Sequence, residues 1–512
     1  MRPFDADGTF RPRTEADELG RLAVRGAGVT VLAQVVAFFL QMIATVVLAR
    51  LLAPADFGLL TMVTTFSLLV MNVGLNGFTE AVVQRDRMTH ALASNLFWIN
   101  TGLGLLLAGV FAGLGPLLAH FYGEPRVIGV AAGIAPTIVF TCLSVQHLAL
   151  LKRAMRFAQV SANDVVARAM SVGVSIVLAW MGWGHWALVA GAVALSGSTA
   201  VGAWTLCRWI PGPPRSTPGT GSMVTFALHT YARFVAGYCT GNLDKFLIGW
   251  RFGPAPLGLY RKAYDLFVMP SNQLSSPLTT VAVSALSRLT GDPSRRGRYV
   301  VEALSTLAFV GMGLGAALTL VGSDLIAVLL GPGWEEAGRI FTIFGPGIGV
   351  MLLYGTHGWI HLSFGRPDRW VRWGLVELAV ATALFLAGLP WGPAGIAVAW
   401  VASYWILTIP ALWYAGRPAQ LGPAAVVSAV WRYVVASAIA GAAAAAVVDG
   451  LPAIAEATGV VGGVVRIVVT SVMFGALYLG AVIVLHRSCS PLARVAGLLR
   501  VMVVTPPTRD LV

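Results

Sequence analysis

Cysteine is scarce in this chain, and so is charge. Of 512 residues only four are cysteine and 11% are charged. Cys142 and Cys239 fall inside apolar runs while Cys207 and Cys489 lie beside basic segments, so no structural disulfide is expected. The charged fraction lies well below that of a soluble globular protein. No Gly-x-x-x-x-Gly-Lys-[Ser/Thr] loop is present, which argues against direct use of ATP. Gly102-Leu103-Gly104 reads as close helix packing, not as a dinucleotide fingerprint. His357 and His361 have the spacing of zinc ligands on a helix, but no Glu stands between them as in His-Glu-x-x-His and no third ligand is evident. Neither a metal site nor a cofactor is expected. A membrane polymerase or ligase would need catalytic groups on a large outer loop, and no outer gap exceeds roughly a dozen residues. The chain is therefore not expected to be an enzyme, and no catalytic residue is assigned. Met1 to Leu22 is polar and mixed in charge, and reads as a short disordered tail. The first apolar run is too long for a signal peptide and reads as an uncleaved span.

What the chain has in abundance is apolar sequence, at 57% of its residues. A spanning helix needs roughly 20 apolar residues. About fourteen such runs are found, near residues 27–48, 58–78, 95–119, 127–149, 160–181, 185–206, 224–250, 258–285, 301–330, 337–363, 371–389, 393–414, 426–448 and 463–485. Lys and Arg crowd into alternate gaps: about 25 on the set that includes Lys152, Arg153, Arg295, Arg366 and Arg487, against about 7 on the other. Positive charge is retained on the cytoplasmic side, so both termini are expected inside, in a bacterial inner membrane. The net charge of +13 then sits on rims facing anionic lipid and needs no nucleic acid to explain it. Leu492, Val495, Leu498 and Leu499, alternating with Arg494 and Arg500, read as an amphipathic helix on the inner leaflet.

The chain also repeats itself at a spacing of about 200 residues. Ala53-Pro54-Ala55-Asp56-Phe57-Gly58-Leu59 after the first span is echoed by Gly253-Pro254-Ala255-Pro256-Leu257-Gly258-Leu259 after the seventh, and Gly182-Trp183-Gly184 by Pro390-Trp391-Gly392. Pro and Gly favour such turns in any bundle, but two echoes in matching order point to duplication. Six spans per half is an even number, so the halves share one orientation, related by a pseudo-two-fold along the membrane normal. The expected organisation is a cytoplasmic tail (1–24), a six-helix lobe (25–209), a Pro-rich linker (210–222), a second six-helix lobe (223–415), two further transmembrane helices (426–487) and a cytoplasmic tail (488–512). The fold class is an all-α polytopic membrane protein.

Several segments resemble a known family. Ala49-Arg50-Leu51-Leu52-Ala53-Pro54-Ala55-Asp56-Phe57-Gly58, Ala81-Val82-Val83-Gln84-Arg85, Phe121-Tyr122-Gly123-Glu124-Pro125, Asn242-Leu243-Asp244-Lys245-Phe246-Leu247-Ile248-Gly249 and Ala285-Leu286-Ser287-Arg288-Leu289 look like the polysaccharide-transport branch of the MOP exporters. Within it the likeness is to the Wzx-type flippases of the colanic acid and teichuronic acid exporter group, over roughly residues 25 to 415. The resemblance implies a flippase for polyprenyl-diphosphate-linked oligosaccharide, with two MATE-like six-helix lobes around a central cavity and two extra helices. It also implies membrane lipid, the lipid-linked glycan, and polysaccharide polymerase and export machinery as partners. Lys245 departs from the neutral residue expected after the Asn-x-Asp pattern. Multidrug antiport and lipid II flipping are the related alternatives; a drug exporter should show an acidic, aromatic-lined cavity.

Ionisable groups inside a bilayer are costly and mark functional candidates. On span seven His229, Arg233, Gly237, Thr240 and Asp244 share one helical stripe, with Lys245 and Arg251 towards its outer end. Span eight opens with Arg261, Lys262 and Asp265, and Asn272 continues that face. These residues would line a cationic cavity suited to a diphosphate, with Arg233 meeting it near the cytoplasmic side. The bland reading pairs Arg261 with Asp265 along the helix and lets Arg233 snorkel to the interface. Asp164 and Arg168, one turn apart, read as a self-neutralising pair. Gln34 and Gln41, like Asn72 and Asn76, would bind either sugar hydroxyls or a neighbouring helix. Asp244, Asp265 and Glu377 are the candidates for ion coupling. For Glu377 the reading of a proton carrier stands beside that of a rim salt bridge with Arg369 and Arg372.

Overall fold

In the computed structural model the described residues are 3–5, 7–10, 16–84, 88–214, 231, 234–235, 237–239, 241–269, 286, 293–364, 367–419, 421–452, 459–495 and 497. Their contacts divide the chain into two units, Met1–Arg261 and Lys262–Val512. The first holds α1 (Ala16–Leu51), α2 (Pro54–Gln84), α3 (His90–Gly113), α4 (Gly115–Tyr122), α5 (Arg126–Arg153), α6 (Phe157–Trp180), α7 (His185–Cys207) and α8 (Leu243–Phe252). Helix α9 covers residues 254–269 and carries the chain from the first unit into the second. The second continues with α10 (Pro293–Leu330), α11 (Glu335–Phe344), α12 (Gly347–Ser363), α13 (Pro367–Gly388), α14 (Gly392–Gly416), α15 (Pro423–Asp449) and α16 (Gly459–His486).

Among the described residues ten helices are long and apolar enough to cross a membrane, or eleven if the pair α11 and α12, bent by 49°, counts as one span. About fourteen were expected. The difference lies in spans seven and eight, which fall partly outside the described residues, and in spans eleven and twelve, which run together in one apolar stretch, Asp368–Gly416. Large apolar side chains face outward along these helices; Leu106 is 62% exposed and Val461 77%. Water would penalise such a surface, whereas lipid is its natural solvent.

In the first unit α5 is central, packing against α2, α3, α4 and α7, while α1 leans on α6. Helix α2 starts as its sequence requires: Pro54 takes a position where no N–H is needed, and Asp56 accepts the Ala53 N–H at 3.1 Å. In the second unit α10 is central and packs against α11, α12, α15 and α16. Gly311 and Gly315 on α10 meet Gly345 and Gly349 around the α11–α12 bend so closely that a Cβ on Gly311 would stand 2.8 Å from the Gly349 Cα. Small residues four apart allow such backbone approach in lipid.

Two features depart from the sequence reading. Residues 3–10 were expected to be disordered, yet His90 N–H donates to Gly8 O at 2.7 Å and Phe10 N–H to Met88 O at 3.0 Å. Phe4 packs edge-on against His90 and Phe10, so aromatic burial adds to backbone pairing. Helices α15 and α16, expected as two further helices beyond the second lobe, share one apolar core with α10, α12 and α14. Tyr478 Oη donates to Phe309 O at 2.7 Å, and Arg466 on α16 grips Asp324 on α10, with its Nη2 2.6 Å from Oδ1. Beyond the left-handed Arg487, residues 490–495 are helical, as the amphipathic pattern requires; Leu498, Leu499 and Arg500 lie outside the described residues.

Candidate functional site

Three of the segments that carry the family resemblance, residues 49–58, 121–125 and 242–249, lie in the first unit. The short helix α8 packs against α2 and α4. Phe246 stacks on Phe121 at 4.9 Å and meets Phe66 at 5.9 Å, and Gly249 leaves room for Tyr122, whose Cε1 would lie 2.9 Å from an added Cβ. Just before α8, Tyr231, Phe234 and Tyr238 form an aromatic row, with Tyr231 Oη donating to Leu69 O and Tyr238 Oη to Thr65 O, both on α2.

The repeated turns meet each other directly. Gly253, at φ +83°, lets α8 turn into α9, and Pro254 opens α9 as Pro54 opens α2. A Cβ on Gly58 would fall 1.7 Å from Pro254 O, and one on Gly258 1.8 Å from Pro54 O. The contact is therefore reciprocal: each turn's glycine receives the other turn's proline carbonyl. Beside it Asp56 Oδ1 lies 3.7 Å from His185 Nδ1.

Asp244 and Lys245 are both buried, at 2% and 3% exposure. Tyr260 Oη donates to Asp244 Oδ2 at 2.8 Å, while the Lys245 ammonium lies 3.6 Å from Oδ1. The same ammonium donates to Gly241 O at 3.1 Å and Asn242 Oδ1 at 3.2 Å. The pair thus neutralises itself and ties the turn before α8 to the helix, an arrangement a side chain facing a wet cavity would not need. Arg251 is exposed at the end of α8, with its guanidinium 5.6 Å from the Phe252 ring. Arg261 and Asp265 are half-buried and Lys262 is buried on α9. Gln34 and Gln41 are both exposed on α1. His229, Arg233, Thr240 and Asn272 lie outside the described residues.

Elsewhere Arg168 Nε donates to Asp164 Oδ2 at 2.9 Å, the self-neutralising pair the spacing suggested. Among the described residues Glu377 makes no salt bridge: its carboxyl lies beside the Tyr354 hydroxyl, while Arg372 lies 3.9 Å from Asp368 and Arg369 donates to Tyr414 O at 2.7 Å. Tyr354, Trp373 and the Asp324–Arg466 pair escaped the sequence reading. Asp324 and Arg466 could have been sought as opposite charges within two apolar runs. Of the two glycines in Gly102-Leu103-Gly104, Gly104 is packed tightly on Cys142 and Gly102 is open. All four cysteines are free thiols.

Comparison with known proteins gives these contacts a family context. Residues 47–339, more than half the chain, match the family model of polysaccharide biosynthesis proteins. Teichuronic acid biosynthesis protein TuaB of Bacillus subtilis (strain 168) is 24% identical over 66% of this chain and 70% of its own length. Succinoglycan biosynthesis transport protein ExoT of Rhizobium meliloti (strain 1021) is 20% identical over 74% of this chain and 77% of its own. Among solved structures, the lipid II flippase MurJ in an inward closed conformation superposes with a TM-score of 0.72 at 12% identity, over 90% of this chain and 98% of that one. An inward-facing MATE family multidrug resistance transporter gives 0.58 at 11% identity, over 75% and 95%. The chain belongs to the polysaccharide biosynthesis protein family and is a multi-pass membrane protein with the fold shared by MurJ and the MATE transporters.

Proposed function

We propose that this protein is a flippase that moves a polyprenyl-diphosphate-linked oligosaccharide, a repeat unit of a cell-surface polysaccharide, across the inner membrane by alternating access. The observation that carries the reading is the reciprocal seating of Gly58 on the Pro254 carbonyl and Gly258 on the Pro54 carbonyl. It brings the two repeated turns together, and it is built from segments typical of polysaccharide exporters. The relatives' names agree, since one is a biosynthesis transport protein for succinoglycan and another serves teichuronic acid. Both termini lie in the cytoplasm in this reading, as the distribution of arginine requires.

The cargo presents a diphosphate and a polar glycan, which call for charge-assisted donors in a low dielectric. Arg233, His229, Arg251, Arg261 and Lys262 are the proposed anion contacts, and Gln34 and Gln41 the contacts to sugar hydroxyls. Lys245 is the weakest member of the set, because Asp244, Gly241 and Asn242 already occupy it. Asp244, Asp265 and Glu377 remain the acidic groups available for ion coupling. Polysaccharide polymerase and export machinery would receive the product outside.

Reconstituted vesicles carrying a fluorescent lipid-linked oligosaccharide test the assignment. Arg233→Ala and Arg261→Ala should each slow flipping by about tenfold or more, the cost of one lost charge-assisted hydrogen bond. Lys245→Ala should act mainly on stability. Unchanged flipping in both arginine variants would remove the cationic site from the account.

A further inference from the structure

The second unit holds a cluster of buried polar groups that the cargo site does not use. On α12, Tyr354, His357 and His361 follow one another at helical spacing, and all three are buried, His357 at 5% exposure and His361 at 2%. Helix α13 adds Trp373, whose Nε1 donates to Tyr354 Oη at 2.9 Å, and Glu377, whose carboxyl lies beside the same hydroxyl. Helix α14 adds Tyr404, edge-on to Tyr354 at 5.3 Å, and Tyr414, 5.9 Å from His361.

The hydrogen-bond inventory of this cluster is incomplete in an informative way. His357 Nδ1 faces the Tyr354 carbonyl, so it must carry the proton and leave a bare lone pair on Nε2. That Nε2, and Nε2 of His361, have no hydrogen-bond partner among the described residues. Buried polar nitrogens are normally satisfied, so two orphaned ones side by side, one of them a bare acceptor, point to a missing partner. The two rings are 5.9 Å apart, close enough that a charge on one opposes a charge on the other.

The surrounding charges do not supply that partner. Arg369 is committed to the Tyr414 carbonyl and ring, and Arg372 is near Asp368. Arg369 and Asp368 act on His361 with opposite signs. From α10, which also packs against α12, Arg296 lies 4.3 Å above the Phe364 ring at the end of α12, and Glu302 is exposed. Among the described residues no group of three or more His, Cys, Asp or Glu could hold a metal ion. Two imidazoles and the carboxyl beside the Tyr354 hydroxyl instead form a ladder of exchangeable sites. From His361 to Tyr354 it climbs about 10 Å of helix from the Arg369 rim into the apolar layer.

We propose that Glu377, Tyr354, His357 and His361 form a proton-loading site that couples transport to a proton gradient. The site takes up one proton and no other co-reactant; the proton goes to a bare imidazole nitrogen or to the Glu377 carboxylate, and is released when the ladder opens to the opposite side. The proposal rests on the flippase reading only for what the proton drives. Proton binding itself is independent of cargo.

Two measurements separate these levels. Infrared difference spectra of the purified full-length protein in lipid nanodiscs, taken across a pH step, should show a protonated carboxyl band that Glu377→Gln removes, and imidazole bands that His357→Gln reduces. A spectrum unchanged by both variants would overturn the site whatever the cargo. In vesicles at zero membrane potential, a pH gradient of one unit, acid outside, should shift the steady-state distribution of labelled lipid-linked oligosaccharide about tenfold per coupled proton. Glu377→Gln should lose that response while still equilibrating cargo downhill. A response to a sodium gradient in place of a proton gradient, or a Glu377→Gln protein that responds as the wild type does, would contradict the proposal. Failure of the wild type to move cargo, with the infrared bands present, would count against the flippase reading and leave the proton site standing. Tyr354→Phe, which keeps the ring packing, serves as a second variant, its folding checked by its melting temperature in detergent; it should weaken the gradient response, and an unaltered response would remove Tyr354 from the ladder.

Discussion

At the scale of single residues, charge in the apolar layer is held by dedicated partners. Arg466 meets Asp324 with two nitrogens, Nε at 3.1 Å and Nη2 at 2.6 Å, and each side chain is about three-quarters buried. Asp324→Asn would leave the guanidinium without its counter-charge, and a loss of about 3 kcal/mol is expected. The melting temperature in detergent should fall, and the charge-swapped double variant should recover part of it; equal melting of the wild type and Asp324→Asn would show that the pair contributes nothing. On the outer turn Arg126 makes two hydrogen bonds to Glu124, holding that carboxyl below the usual carboxylate range. A lowered folded-state pKa means stability that is present above the ordinary glutamate value of about 4.3 and is lost as pH falls through the folded value. The stability gap between wild type and Glu124→Gln should therefore narrow as the pH falls below the ordinary glutamate value and vanish below the folded one. It is expected to stay under about 1 kcal/mol, because Arg126 is half exposed. A gap that persists unchanged into acid would rule the interaction out.

At the scale of elements, what could be read in advance was whatever hydropathy and spacing encode. The apolar runs match the helices closely; the first-unit candidate spans begin at Gly28, Pro54, His90, Arg126, Phe157 and His185, within a few residues of the boundaries the runs gave. The Asp164–Arg168 pair was legible because a four-residue spacing fixes its geometry within one helix. Lys245 was not, since its partners Gly241 and Asn242 belong to a turn that interrupts the helix expected through span seven. Tyr354 was invisible for a related reason: its role depends on Trp373 and Glu377 from the next helix, and sequence carries no record of which faces meet. The repeat predicted two equivalent turns but not that each would receive the other's carbonyl. That contact leaves no space for a side chain, so Gly58→Ala and Gly258→Ala are each expected to cost about 2 kcal/mol through forced separation of the α2 and α9 starts. Thermal unfolding of the two variants should show similar losses; tolerance of alanine at either glycine would mean that the close approach is not required.

At the scale of the whole molecule, positive charge divides into two populations. In the topology the sequence predicts, most of it lies on cytoplasmic segments, and a smaller set, Arg251, Arg261 and Lys262, lies where translocation disfavours it. In the proposed function the first population orients the protein, the second, with Arg233, contacts the cargo, and the buried His357 and His361 ladder takes the driving ion. The flipping of cargo itself is the most direct test of this division of labour. Purified protein is reconstituted with a fluorescent polyprenyl-diphosphate oligosaccharide confined to one leaflet, and a membrane-impermeant quencher reports its arrival on the other. The account predicts protein-dependent transfer that a free diphosphate-linked analogue inhibits; transfer no faster than in protein-free vesicles would contradict it.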